Sequence, residues 1–377
     1  MSMPDPFRCV LCLVVFALSQ SGQDLKSWLV LGSQALEAGD NARAEAAFRK
    51  ALAFEPNSIE VLNDLGIALA RQKKASEAIE VYRRALRIQP EHVTTMKNLA
   101  IAYFREQRYN AAWPLLKKLS AKLDDFQTVD LAGVTLFALD RYAESAAYLE
   151  RASQLSPTDM PALDMLGKAY MRTGNYRGAA DVFARMMALN PNSPAVHVMM
   201  GMAYDNMFRD TEARTEFEAA RDADPTYPGV HSGLGQVYWK EGKIELAARE
   251  FEAELKSHPD DPVSHCLLGE ISLKVNDLAA ALRNFRAAVA ANPKYKEAQF
   301  GLGKAELASG RPGDAKVTLE RAIALDPNYV QAHYVLGRVL KRLSRLDDAK
   351  REIATAEQIQ AKQRAQYARK LESGEHP

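Results

Sequence analysis

Four histidines share one register in this chain. His197, His231 and His265 are spaced 34 residues apart, and His333 stands two such intervals beyond. Imidazole is a common zinc ligand, but a zinc site needs its ligands convergent, each about 2.0–2.1 Å from the ion. A strict sequence period instead puts equivalent residues on successive helices about 10 Å apart. No cysteine or carboxylate cluster at ligand spacing accompanies them, so packing is the expected role and no metal is expected. Gly301-Leu302-Gly303-Lys304 has the outline of a phosphate loop, yet it sits inside a helical pattern with no strand before it. Without free backbone N–H groups it makes no phosphate cradle. There is no Gly-x-Ser-x-Gly, His-Glu-x-x-His or Cys-x-x-Cys. Asp260-Asp261 and Asp347-Asp348 fall at turns and helix starts, where N-capping accounts for them. These residues predict no catalysis and no cofactor.

The elements that carry them follow the same interval. Pro157, Pro191, Pro225, Pro259, Pro293 and Pro327 recur every 34 residues, and Pro56 and Pro90 stand earlier on the same ruler. A period of this length means stacked supersecondary units whose function lies on an extended surface. Position 1 of each unit is taken three residues after the preceding proline. Positions 4, 7, 8 and 11 then read Leu62, Leu65, Gly66 and Leu69, one face of a first helix; positions 20, 24 and 27 read Ala78, Tyr82 and Ala85, one face of a second. Nine of ten units have glycine at position 8 and nine have alanine at position 20. Glycine inside a helix costs about 1 kcal/mol against alanine, so its recurrence implies two helices in close approach. Proline at position 32 ends the second helix. Ser193-Pro194 and Asp261-Pro262 restart the chain with an N-cap and a first-turn proline.

With these motifs the chain resembles the tetratricopeptide repeat family over about residues 25–363. The family's bulky first-helix residue is met by Trp28, and its Leu-Gly pair by Leu31-Gly32, Leu65-Gly66, Leu166-Gly167, Leu234-Gly235, Leu268-Gly269, Leu302-Gly303 and Leu336-Gly337. Tyr103, Tyr170, Tyr204 and Tyr238 match its first-helix tyrosine, and Phe48, Phe183, Phe217, Phe251 and Phe285 its second-helix aromatic. The resemblance implies an all-α, right-handed superhelical solenoid of antiparallel helix hairpins, with first helices lining a concave face that binds proteins or peptides.

Irregularities over residues 114–132 suggest either a looser joint between two blocks or ordinary repeat drift. The third unit has Asp124 in place of proline and is one residue short, Pro114 falls early in its second helix, and Ala132 and Ser145 depart from the pattern in the next. The expected arrangement is an N-terminal block of three units (23–125), a C-terminal block of seven (126–363), and a polar cap and tail (364–377). With Ala361 where proline is due, the last helix should run on to about Leu371. Glu254 occupies position 27, where seven of the other nine units have alanine. An unpaired buried carboxylate is expensive, so Glu254 is expected to be buried and bonded to a basic side chain, His265 in the next unit first of all.

Residues 1–22 read as a secretory signal. Arg8 precedes the apolar run Cys9–Leu18, followed by Ser19-Gln20-Ser21-Gly22, with cleavage after Ser19 or Ser21. An uncleaved anchor is the alternative. No later stretch is long enough to span a bilayer, and Cys266 alone follows the leader, so no intramolecular disulfide is expected. Together with the absence of an Asn-x-Ser/Thr sequon this favours a periplasmic or secreted location. The 49 Lys+Arg against 48 Asp+Glu leave a net charge of +1, which gives no bulk electrostatic basis for nucleic-acid binding.

A binding surface is expected on the first helices at positions 2, 5, 9 and 12. Position 12 reads Leu36, Ala70, Phe104, Phe137, Met171, Asp205, Trp239, Leu273, Leu307 and Lys341, with Met202 on the same side, an apolar ladder over eight of ten units. Lys97, Asp130, Lys168, Gln236, Glu270, Lys304 and Arg338 border it. An apolar stripe with a mixed-charge border suits an extended peptide or an amphipathic helix. The competing reading is that position 12 is half-covered by the next hairpin. Phe104, Phe137 and Trp239 are the expected anchors, because aromatics dominate hot spots. The reading is a non-catalytic exported scaffold. An accessory scaffold for envelope polysaccharide or pilus assembly is the second reading. The repeat portion of a glycosyltransferase is disfavoured, because position 6 does not carry an asparagine ladder.

Overall fold

The computed structural model describes residues 24–372; the leader, 1–22, lies outside the described residues. Among these there are twenty helices and no strand, paired as ten hairpins. Hairpins 1 to 5 join residues 24–37 to Asn41–Phe54, Ile59–Arg71 to Ala75–Ile88, Val93–Arg105 to Tyr109–Lys122, Phe126–Ala138 to Tyr142–Leu155, and Met160–Thr173 to Tyr176–Leu189. Hairpins 6 to 10 join Pro194–Asn206 to Asp210–Ala223, Val230–Lys240 to Ile244–Ser257, Pro262–Lys274 to Leu278–Ala291, Lys296–Ala308 to Pro312–Leu325, and Val330–Arg342 to Leu346–Glu372. The hairpins form two compact units, one through Met186 and the other from Met187.

The repeated residues make the seam as their types require. The position-8 glycines face the position-24 side chain of their own hairpin. A Cβ on Gly167 would stand 2.2 Å from Cε1 of Phe183, and one on Gly66 would stand 2.3 Å from the Tyr82 ring. The alanines at position 20, such as Ala44, Ala78 and Ala213, are wholly buried. Each hairpin turns through one left-handed residue at position 15. Gly39, Gly174, Gly242 and Gly310 suit that conformation, whereas Lys73, Gln107, Asp140, Phe208, Asn276 and Ser344 adopt it with φ between 56° and 62°. Asp159, Ser193 and Asp261 cap first helices through their side chains, Asp261 accepting the Ser264 N–H at 2.7 Å.

The irregular places are absorbed locally. The helix Tyr109–Lys122 contains Pro114 without breaking, and Asp124 pairs with Arg151 at 2.6 Å. The final helix runs to Glu372, as the missing proline at 361 predicts. No helix among the described residues is long and apolar enough to cross a membrane.

Candidate binding surface on the first helices

Within each unit, first helices are tied to the preceding hairpin at their C-terminal ends. Arg71 donates to the Leu36 carbonyl at 2.9 Å, Lys240 pairs with the Asp205 carboxylate at 2.6 Å, and Arg342 donates to the Leu307 carbonyl at 3.1 Å. A cation at a helix C-terminus satisfies carbonyls that lack an intrahelical partner and complements the dipole. These clamps hold neighbouring first helices in register and so place position 12 of each beside its neighbours.

The ladder is neither fully exposed nor core. Leu36, Ala70, Phe104, Phe137, Met171, Trp239 and Leu273 are half-buried, Leu307 is buried at 8% exposure, and Met202 is exposed at 47%. The three expected anchors have ring partners. Phe104 meets Tyr109 edge-on at 5.4 Å between centroids, Phe137 meets Tyr142 at 5.1 Å, and Lys274 Nζ lies 4.8 Å from the centre of the Trp239 ring. Such contacts hold aromatic side chains in place while leaving part of each ring open. Among the border residues, Lys97 pairs with Asp125 at 3.2 Å, Lys168 with Asp164 at 2.6 Å, and Lys304 with Glu270 at 2.8 Å. Gln236 donates to the Ser232 carbonyl at 3.3 Å, and Arg338 is exposed.

Clefts open on this side in both units, among them one of about 200 Å³ lined by Met202, Asp205, Gly229 and Gln236. In the unit from Met187, a cleft of about 590 Å³ has Leu273, Leu307 and Val335 as its apolar lining. In the unit through Met186, one of about 510 Å³ is lined by Ile67, Ala70 and Ile101, with Arg71, Lys73 and Arg105 beside Glu106. The first helices of this latter unit also carry two carboxylates without an ion pair. Burial, with Asp159 nearby, pushes Asp130 up to about 6, and burial raises Asp64 as well.

The histidines are held within single hairpins. His197, His231 and His333 place Nδ1 2.7, 2.6 and 2.7 Å from the carboxylates of Glu216, Glu250 and Glu352, nineteen residues on. His197, His265 and His333 also place Nε2 3.0, 2.8 and 3.2 Å from the carbonyls of Pro191, Pro259 and Pro327. These are braces between the two helices of a hairpin and the turn before it. Gly301 and Gly303 lie buried inside Lys296–Ala308, packed on Phe285 and Leu319, so the phosphate-loop outline is helix packing. Burial pushes the Cys266 thiol up to about 12, far from a reactive thiolate.

Glu254 corrects one expectation. It is buried, at 2% exposure, but His265 is not its partner. Its Oε1 accepts the Gly229 N–H at 2.9 Å, and its Oε2 accepts those of His231 and Ser232 at 3.0 Å each. The helix Val230–Lys240 begins at Gly229, which offers no side-chain cap, so its orphan donors are met by this carboxylate from the second helix of the same hairpin. The basic group beside it is His258, with Nδ1 2.9 Å from Oε1 but without hydrogen-bond alignment.

The hairpin stack and the seam residues place the chain in a known family. Residues 14–128 match the model of the cytochrome c-type biogenesis protein H TPR domain. Residues 136–204, 272–324 and 306–372 match one tetratricopeptide repeat model, and 199–262 and 232–294 another. The chain belongs to the tetratricopeptide repeat family. No curated protein matches it. Among solved structures, human IFIT1, determined as a dimer with m7Gppp-AAAA, is similar at 16% identity and a TM-score of 0.52, over 81% of this chain and 77% of that one. Yeast Tom70 is 15% identical over 90% and 96%, with a TM-score of 0.43. MamA from Desulfovibrio magneticus RS-1, from residue 41 on, is 19% identical over 45% and 97%, with a TM-score of 0.42. At these identities the likeness to IFIT1 is one of fold.

Proposed function

We propose that this chain is a non-catalytic scaffold that holds a segment of another protein against the ladder side of its first helices. The observation that carries this reading is the ladder's state. Seven apolar position-12 side chains stay half-exposed, although the seam positions beside them are buried. Within each unit, half-exposed apolar surface of this kind, bordered by charge, is what an extended or helical peptide covers. Lys97, Lys168, Gln236, Glu270, Lys304 and Arg338 form its polar rim.

The composition of residues 1–22 supports export to a periplasm or to the outside. A place in the assembly of other envelope components is the second reading. It is supported by the match of 14–128 to a repeat domain named for cytochrome c biogenesis.

The test is an affinity capture with the full chain, repeated with Trp239→Ala. A partner held by the parent and lost from the folded variant supports the ladder as the site. A partner held equally by both rejects it.

A further inference from the structure

We propose that the larger cleft of the unit from Met187 takes an acidic peptide segment, with an apolar side chain on its floor and carboxylates against Arg338 and Lys341. This rests on the reading of the first-helix side as the binding surface and names the chemistry of its ligand. The floor is Leu273, Leu307 and Val335, from three successive first helices. The remaining lining includes Lys304, Arg338, Lys341 and Arg342, with no carboxylate among the lining residues.

Those four cations differ in state. Lys304 is neutralised by Glu270 at 2.8 Å, and the Arg342 guanidinium is engaged with the Leu307 carbonyl at 3.1 Å. Arg338 and Lys341 are exposed and have neither an ion pair nor a side-chain hydrogen bond. They stand three residues apart on one helix, where like charges repel, so an anion bridging them relieves a cost already present. Bulk basicity does not explain the cluster, because the chain carries a net charge of only +1.

The other unit is a built-in contrast. Its cleft includes Glu106 among the lining residues, and the same side of its first helices carries the unpaired Asp64 and Asp130. The first cleft presents cations with no carboxylate, whereas the second mixes Arg71, Lys73 and Arg105 with Glu106, so a negatively charged segment is favoured more by the first. The spacing adds a constraint. Arg338 and Lys341 lie about one helical turn apart, roughly 5 Å along the axis, so the ligand needs acidic residues of similar separation flanking one apolar residue.

The test uses a fluorescein-labelled 12-residue peptide of interspersed Glu and Leu, and its counterpart with Gln for every Glu, titrated into the full chain by anisotropy. The acidic peptide should bind at least about tenfold more tightly than the Gln peptide, a difference of about 1.4 kcal/mol, and its affinity should fall as salt is raised. Arg338→Glu with Lys341→Glu should abolish that preference, Arg338→Gln with Lys341→Gln should reduce it, and Arg87→Glu with Lys118→Glu, on second helices away from both clefts, should leave it unchanged. All four positions are exposed, so circular dichroism should report an intact fold. Equal affinity for both peptides, lowered by Trp239→Ala, would overturn the acidic specificity and leave the groove reading standing. Saturable binding of neither peptide would overturn both. A single-stranded oligonucleotide that displaces the acidic peptide at lower concentration than unlabelled peptide would also overturn the proposal.

Discussion

The Glu254 carboxylate caps a helix it does not belong to, accepting the His231 backbone N–H at 3.0 Å. With the Gly229 and Ser232 donors it closes the start of Val230–Lys240, doing from the second helix what Asp159, Ser193 and Asp261 do from the Ncap position elsewhere. Glu254→Ala should therefore destabilise the unit from Met187 by about 2–4 kcal/mol, since buried donors left without a partner cost about 1–3 kcal/mol each and water recovers part of this. Urea unfolding followed by circular dichroism measures it. An unchanged midpoint would show that alanine, the residue used at this position in seven other hairpins, serves equally well here.

Gly167 and Phe183 illustrate the seam. A Cβ would stand 2.2 Å from a ring that is wholly buried and has no room to withdraw. Gly167→Ala should cost about 1–3 kcal/mol through overpacking, against the gain in helix propensity that alanine brings at an open site. A rise in melting temperature would mean that the hairpin can splay without loss.

Phe208 is 86% exposed and left-handed, with φ 57°, at a turn position that four hairpins give to glycine. Phe208→Gly removes strain of about 1–2 kcal/mol while losing little burial, with part of the gain cancelled by the greater freedom of glycine in the unfolded chain. The expected net is a stabilisation of up to about 1 kcal/mol in thermal unfolding. Destabilisation would show that the ring packs on its surroundings more than its exposure indicates.

Asp130 supplies a pH dependence. Its folded-state value, about 6, lies above the ordinary 3.8, so the folded state holds the proton more tightly than the unfolded one. The contribution is present below about pH 4 and is lost as pH rises through about 6. Asp130→Asn should thus equal the parent in stability near pH 4 and exceed it near pH 7. The gain should be about 1 kcal/mol, since the side chain is half-buried and water screens part of the effect. A gain independent of pH would exclude the carboxylate's ionisation as its cause.

Much of the fold was legible because the repeat writes the same physical constraint ten times. Glycine at position 8, alanine at 20 and proline at 32 each have one reason to recur, and the ring packed on Gly167 is that reason made visible. The seam composition also changes between hairpins 5 and 6, near the boundary of the two units at Met186. Position 4 is apolar in hairpins 1 to 5 (Trp28, Leu62, Met96, Val129, Leu163) and polar in 6 to 10 (His197, His231, His265, Gln299, His333). Position 23 changes with it, from Ala47, Val81, Leu115, Tyr148 and Val182 to Glu216, Glu250, Asn284, Thr318 and Glu352. The histidine register gains its meaning only beside the acid nineteen residues later, which His197, His231 and His333 each have. The partner of Glu254 was not legible, because an orphaned backbone N–H leaves no mark on side-chain identity beyond Gly229 at an uncapped helix start. Nor does residue type separate the half-buried Leu273 from the buried Leu307, since neighbouring hairpins set that difference.

If the ladder side of the first helices is a binding surface, Trp239 is its most direct probe. The measurement is the affinity of a captured partner segment for the parent chain, for Trp239→Ala, and for Leu246→Ala, an exposed second-helix control, each with its melting temperature. Trp239→Ala should weaken binding by more than about 1 kcal/mol with melting nearly unchanged, while Leu246→Ala should bind as the parent does. Equal affinity of Trp239→Ala and the parent, or a collapse of its melting temperature, would contradict that role of the ladder.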